Sequence, residues 1–123
     1  RFTIFDSLVL CRFGRNVYNW DRLARITQAL TGISYGIAGL KTIAHRVRTL
    51  ARMLNLRYGF TAKDDTISRR FLSEPVEVEK GRRILVRREQ LQVAVKEYYK
   101  LRGWDEEGVP TEDTLAKLGI KTS

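Results

Sequence analysis

The strongest pattern of apolar and polar positions lies between residues 37 and 57, where apolar side chains recur at steps of three and four. Such steps place side chains on one face of a helix with 3.6 residues per turn. The apolar stripe consists of Ile37, Leu40, Ile43, Ala44, Val47, Leu50, Ala51 and Leu54. The other face is basic and carries Lys41, Arg46, Arg48 and Arg52. The spacing predicts a long amphipathic helix with a solvated or partner-facing basic side, which Gly59 ends.

A second helix is predicted over residues 20–31, which read WDRLARITQALT. Its apolar stripe consists of Leu23, Ile26, Ala29 and Leu30. Asn19 or Asp21 can cap its first turn by accepting hydrogen bonds from backbone N–H groups that have no helical partner. Gly32 is expected to end the helix, because glycine readily adopts the left-handed conformation found after a last turn.

The same periodicity predicts two helices in the last third of the chain. One covers residues 87–102 and ends at Gly103, and its stripe consists of Leu91, Ala94, Val95, Tyr98 and Leu101. The other is short, covers residues 112–118, starts from a Thr111 cap and stops at Gly119.

Three further segments have weaker patterns. Residues 2–13 are apolar enough for a helix ending near Gly14, which we favour, or for a buried strand. Residues 60–75 are polar and are interpreted as a loop with room for one helical turn. Residues 76–86 alternate around Lys80–Gly81, which suggests a small β-hairpin. The fold class is therefore all-α (mainly α), a compact single domain over 1–123 with four to five helices and one small hairpin near 76–86.

Length and composition agree with a globular domain. The chain has 123 residues, 43% of them hydrophobic and 30% charged, which argues against disorder. No apolar run reaches the roughly 20 residues of a membrane-spanning helix, and no signal peptide is recognisable. Because the chain begins with Arg1 and not with Met, we expect it to derive from a longer or processed polypeptide.

The sequence contains few candidate catalytic or metal-binding residues. The single cysteine, Cys11, excludes an internal disulfide framework and suggests a reducing, cytoplasmic location. A lone cysteine is either a small buried apolar residue or one ligand of a metal centre completed elsewhere. The single histidine, His45, is interpreted as a helix-face or interface histidine. Asp64 and Asp65 are interpreted as a helix cap or as salt-bridge partners of Arg69 or Arg70.

The formal net charge of +9 requires a partner or another explanation. Nucleic acid, an acidic protein or acidic neighbouring domains would each serve. The candidate phosphate contacts are Arg12, Arg15, Arg22, Arg25, Arg46, Arg48 and Arg52. These arginines are spread over several helices without a recognition-helix pattern, so nucleic-acid binding is the less favoured interpretation.

Three ordered motifs resemble the tungsten-containing aldehyde ferredoxin oxidoreductase family. Residues 6–11, DSLVLC, resemble the family's D-x-x-(G/V)-L-C segment. Residues 57–71 resemble its R-x-G-F…D-D-x-L-P-x-R-F stretch, with Tyr58 in place of Glu and Ser68 in place of Pro. Residues 98–120 resemble its YYxLRGWDxxGxPTxxxLxxLGL ending, which is long and specific.

This resemblance implies the C-terminal helical part of an enzyme that oxidises aldehydes to carboxylic acids. The complete enzyme would hold a tungsten-bis(molybdopterin) centre and a [4Fe–4S] cluster that passes electrons to ferredoxin. It implies cofactor-binding roles for Asp6, Leu10 and Cys11, with Asp6 on the pterin and Cys11 as the cluster's fourth thiolate. The family's upstream C-x2-C-x3-C motif and its N-terminal pterin-binding domain are absent from this sequence. We therefore expect this chain alone to be inactive, and to work with the remaining N-terminal portion or a partner subunit, without a membrane.

Overall fold

The computed structural model of the protein describes residues 2–121, apart from the side chain of Arg12. It is mainly α-helical, with one two-stranded antiparallel hairpin, as predicted. The helices are α1 (Phe2–Ser7), α2 (Trp20–Thr31), α3 (Gly36–Arg57), α4 (Arg69–Ser73), α5 (Arg88–Arg102) and α6 (Glu112–Lys117). Two 3-10 turns cover Arg12–Asn16 and Ala62–Asp64, and the strands are β1 (Val76–Glu79) and β2 (Arg82–Ile84). The described residues thus form six helices against the four to five expected, and α4 is the one helical turn for which residues 60–75 left room.

The ends of α2 confirm its predicted caps. The Asn19 side chain accepts a hydrogen bond from the Arg22 backbone N–H at 2.8 Å. Gly32 follows the last turn with φ of 72°, a left-handed conformation that suits a residue without a Cβ. The predicted stripe is only partly correct, since Leu23 is fully buried whereas Leu30 is 81% exposed.

The α3 helix matches its predicted range, but its faces differ from the prediction. Leu40 and Ala44 are buried as expected, whereas Leu54 is 53% exposed. The placement of Arg52 on a solvated basic face was wrong, because its side chain is only 6% exposed. Its guanidinium is enclosed by polar groups from distant segments, which helical periodicity cannot reveal.

The chain divides into two compact units. Unit 1 consists of Arg1–Ala51 with Ala116–Ser123, and unit 2 consists of Arg52–Leu115. The core of unit 1 is built from α1, α2 and α3, and its buried members are Ile4, Phe5, Leu23, Leu40 and Ala44. Among the described helices, none combines the length and the apolar content required to cross a bilayer. The single domain over 1–123 stays a prediction.

Unit 2 contains the hairpin and the C-terminal turn. Val76 pairs with Ile84 and Glu77 with Arg83, and a bulge interrupts the register before Glu79. After α5 the chain turns sharply at Gly103, and Trp104 pairs with Pro110 in an isolated bridge. The Thr111 side chain accepts from the Thr114 backbone N–H at 3.3 Å, which confirms the predicted cap of α6.

Candidate functional site

The segment that follows α1 is a sharp turn that ends the helix early. Val9 has φ of 54°, and its backbone N–H donates to the Asp6 carbonyl at 3.2 Å. The Leu10 N–H donates to the Phe5 carbonyl at 2.8 Å. These two bonds are those of a Schellman motif with Val9 in the left-handed position. The predicted helix ending near Gly14 was therefore wrong, because this motif closes α1 at Ser7.

This turn separates the three residues with predicted cofactor roles. Leu10 is half-buried and packs against the unit 1 core. Cys11 is exposed and immediately precedes the first 3-10 turn, where its carbonyl accepts from the Gly14 N–H at 3.1 Å. Asp6 is exposed near the end of α1. Leu10 thus anchors the segment, while the thiol and the carboxylate remain accessible.

Asp6 also lines a groove between α1 and α3. Thr3 and Ser7 line the α1 side of this groove. Val47, Arg48 and Ala51 line its α3 side. The groove measures about 370 Å³ and opens to solvent beside the carboxylate.

These residues fit a contribution to a larger centre. No group of three or more His, Cys, Asp or Glu side chains within residues 2–121 could hold a metal ion. An exposed thiol can supply one thiolate to an iron–sulfur cluster, and an exposed carboxylate can accept hydrogen bonds from ring N–H groups. The donor set therefore suits one corner of a cluster and one edge of an organic cofactor.

Val9 offers a direct test of the turn. A β-branched residue with positive φ is strained by about 1–3 kcal/mol, whereas glycine adopts this conformation freely. Val9→Gly should therefore raise the free energy of unfolding by about 1 kcal/mol, since the flexibility gained by the unfolded chain offsets part of the relief. Val9 is 92% exposed, so no packing is lost. Urea denaturation measures the change, and an unaltered or lower midpoint would contradict the assigned turn.

In unit 2 the buried Arg52 organises a polar cluster. It forms an ion pair with Asp65 at 2.8 Å, and its Nε donates to the Gly108 carbonyl at 2.8 Å. Its guanidinium lies 5.6 Å from the centre of the Tyr99 ring and 5.7 Å from that of Trp104. The predicted pairing of Asp65 with Arg69 or Arg70 was wrong, because the carboxylate reaches the inside of unit 2.

The turn at Gly108 brings its carbonyl to this arginine. Gly108 has φ of 72°, and a Cβ there would lie 2.4 Å from Nη2 of Arg52 and 2.6 Å from the Tyr99 ring. Both the conformation and the close approach require glycine. Asp105 supports the turn by accepting from the Val109 backbone N–H at 2.8 Å.

The Tyr99 hydroxyl donates a hydrogen bond to the Asp65 carboxylate in the same cluster. Burial, together with this bond, raises the pKa of Tyr99 to about 12 from its ordinary value of 10.0. The native state therefore holds the phenolic proton more tightly than the unfolded state does. Its stabilising effect is complete below pH 10 and is lost as the pH rises from 10 to 12.

This linkage predicts alkaline destabilisation specific to Tyr99. The melting temperature should fall between pH 10 and pH 12. In Tyr99→Phe the fall should be shallower, because no phenol remains to titrate at that position. Phenolate absorbance in the wild type should show one of the five tyrosines ionising later than the others. If the melting temperatures of the wild type and Tyr99→Phe depended on pH identically, the raised pKa of Tyr99 would be contradicted.

Asp64 confirms the predicted cap role. Its carboxylate accepts from the Thr61 backbone N–H at 2.7 Å, and the Thr61 hydroxyl accepts from the Lys63 backbone N–H at 3.3 Å. The hydrogen bond from the Thr61 backbone N–H, and secondly the one from the Thr61 hydroxyl, hold the pKa of Asp64 below its ordinary value of 3.8.

Three of the candidate phosphate contacts bind protein groups in the described part of the chain. Arg46 Nε donates to the Leu118 carbonyl at 2.6 Å, and Arg25 forms an exposed ion pair with Asp21 at 3.1 Å. Arg22 donates to the Val17 carbonyl at 2.8 Å. The predicted contact of Arg12 lies outside the described side chains.

Sequence analysis missed the strained Val9 and the Arg52 cluster. Position 9 carried a signal, since the family motif allows Gly or Val there, and glycine at such a position indicates positive φ. No comparable signal marked Arg52, because its partners lie 13 to 56 residues away in the chain.

The described residues form a mainly α-helical region. Cys11 and Asp6 can each supply one contact to a bound group, but the described residues contain no complete metal site. The family model described as "Aldehyde ferredoxin oxidoreductase, domains 2 & 3" matches residues 1–120. The chain therefore belongs to the aldehyde ferredoxin oxidoreductase family, in the part that these domains cover.

Similar proteins include the tungsten-containing aldehyde ferredoxin oxidoreductase of Pyrococcus furiosus, which is 32% identical over 95% of this chain. The aliphatic sulfonate oxidoreductase WOR-like subunit of the same organism is 32% identical over 94% of the chain. The chain spans 19% of the length of each. Among solved structures, the active site complex BamBC of benzoyl coenzyme A reductase in complex with 1,5-dienoyl-CoA has a TM-score of 0.64 at 32% identity. That match covers 84% of this chain and 14% of the other.

Proposed function

We propose that this chain is the C-terminal portion of an oxidoreductase that oxidises aldehydes to carboxylic acids and passes the electrons to ferredoxin. The observation that carries the proposal is the family match over residues 1–120, together with the motif at residues 6–11. The exposed thiol at the end of that motif supports it, since a cluster ligand must be reachable from outside its own core.

Each motif residue has a separate task in this proposal. The Cys11 thiolate coordinates one iron of a [4Fe–4S] cluster whose other ligands come from outside this chain. The Asp6 carboxylate accepts hydrogen bonds from N–H groups of a molybdopterin ring. Leu10 contacts the cofactor region and keeps the segment against the core. The tungsten centre, when bound, supplies the two-electron redox chemistry, which this chain's own side chains cannot.

The substrate belongs to the complete protein. Four relatives are named for aldehyde oxidation, whereas a fifth is named for aliphatic sulfonates and the structural neighbour for a coenzyme A thioester. The choice of substrate depends on a pocket whose other walls are formed outside this chain. We propose an aldehyde because four of these relatives are named for it.

The proposed partners are the remaining N-terminal portion of the enzyme or a partner subunit, and ferredoxin, in the cytoplasm. Metal analysis of the complete protein that carries this chain tests the proposal. We expect tungsten and about four irons per protein, released pterin, and aldehyde-dependent reduction of ferredoxin. The 123-residue chain alone should hold no cluster and show no activity. A complete protein without tungsten, molybdenum and iron would refute the proposal.

A further inference from the structure

A cavity of about 230 Å³ lies beside α5, and all the residues that line it belong to unit 2. One of its walls is a single face of α5, because the residues recur at helical steps of three and four. These residues are Arg88, Leu91, Gln92, Val95, Lys96 and Tyr99. The wall extends over roughly three turns of the helix, so it favours an elongated ligand over a compact one.

The middle of this wall is apolar. Leu91 and Val95 are half-buried, and the half-buried Ala62 lines the cavity from the second 3-10 turn. Aliphatic groups bind such surfaces through the hydrophobic effect. Cavities that hold drug-sized ligands measure about 300–1,000 Å³, so this cavity fits a smaller molecule.

Two carboxylates line the cavity, and both have cationic partners. Asp65 forms its ion pair with the buried Arg52 at 2.8 Å. Glu106 lies 3.9 Å from the ammonium group of Lys96. The lining contains three cationic side chains against these two carboxylates, so its charge favours an anion.

Arg88 is the cation best placed to bind that anion. The ammonium group of Lys63 interacts with the neighbouring Asp64 carboxylate, whereas Arg88 is exposed and forms no ion pair with the described residues. Glu89 follows Arg88 in the chain, but side chains one residue apart do not face each other on a helix. Arg88 also begins α5, and the first turn of a helix stabilises anions through the helix dipole.

We propose that this cavity binds a short-chain aliphatic monocarboxylate, with the carboxylate on Arg88 and the alkyl chain over Leu91 and Val95. A planar guanidinium can bind a carboxylate through two parallel hydrogen bonds. Inorganic phosphate would use the arginine but not the apolar wall, and an aliphatic alcohol would use the apolar wall but not the arginine. The inference goes beyond the proposed function, because it requires neither the cluster nor the pterin.

Titration of hexanoate into the ¹⁵N-labelled 123-residue chain, followed by NMR, tests the site. We expect saturable shifts of the backbone amides of α5 and of residues 62–66. Affinity should rise about fourfold for each methylene from butanoate to hexanoate, as expected for burial of the chain. Acetate, which lacks that chain, should bind at least about tenfold more weakly than hexanoate.

Two matched variants test the role of Arg88. Arg88→Gln should weaken hexanoate binding at least about fivefold, because a charge-assisted hydrogen bond is lost. It should leave the binding of hexanol unchanged, which also shows that the cavity persists. Arg87→Gln removes the same charge one residue earlier, from a side chain that makes no capping hydrogen bond. It should weaken hexanoate binding less than about twofold, since salt screens a charge that does not contact the ligand.

Three results would overturn the proposal. They are hexanoate shifts that do not saturate or that lie outside the cavity, equal losses for Arg88→Gln and Arg87→Gln, and tighter binding of inorganic phosphate than of hexanoate. The titration uses the chain without metal, so the outcome is independent of whether the complete protein contains tungsten and iron.

Discussion

Replacing Arg52 with leucine is expected to lower the free energy of unfolding by about 3 kcal/mol, at the lower end of the range for breaking a buried ion pair. The leucine would leave the Asp65 carboxylate without its cation and the Gly108 carbonyl without its donor. It would also remove the cation between the Tyr99 and Trp104 rings. Asp65 retains some contact with water, which keeps the expected loss below the maximum.

Two controls separate burial from charge. Arg52→Lys keeps the positive charge. Its ammonium group lacks the planar guanidinium that binds the Asp65 carboxylate and the Gly108 carbonyl together, so it should lose about half as much stability as Arg52→Leu. Arg25→Leu removes an exposed partner of Asp21, with side chains 79% and 56% exposed, and should cost less than about 0.5 kcal/mol. Chemical denaturation measures the free energy of unfolding of all three variants. Equal losses for Arg52→Leu and Arg25→Leu would show that the buried cluster is not formed.

Replacing Cys11 with alanine in the complete protein is expected to abolish ferredoxin-linked aldehyde oxidation, with a loss of at least about 100-fold. A [4Fe–4S] cluster takes four thiolates, and the chain has no second cysteine to substitute. Iron content should fall together with the cluster's visible absorbance. Tungsten content should fall less, because the proposed pterin contact in this segment is Asp6.

The matched control is the same substitution in the 123-residue chain. Cys11 is exposed, so Cys11→Ala should change its free energy of unfolding by less than about 0.5 kcal/mol. That result would assign the loss in the complete protein to coordination and not to misfolding. A Cys11→Ala protein that retains four irons and full ferredoxin reduction would refute the ligand role.

Much of the helical architecture was readable from local pattern. The ranges of α2, α3 and α5 were predicted to within one residue, because apolar periodicity and caps such as Asn19 act within a few residues of each other. The hairpin at Lys80–Gly81 followed from alternation and a turn glycine. The motif segments also identified the family, whose match over residues 1–120 agrees with the resemblance.

Contacts between residues distant in sequence explain the features that the local sequence pattern did not predict. Arg52 belongs to a basic face by periodicity, yet Asp65 and the Gly108 carbonyl enclose it, since pairing stabilises a charge that would otherwise be costly to bury. Val9 was assigned to a continuing helix by its hydrophobicity, yet packing of Leu10 against the core accompanies a strained left-handed turn there. Periodicity along a chain specifies which residues share a helix face. Which face is buried, and where a helix is cut short, depends on free energies from partners distant in sequence.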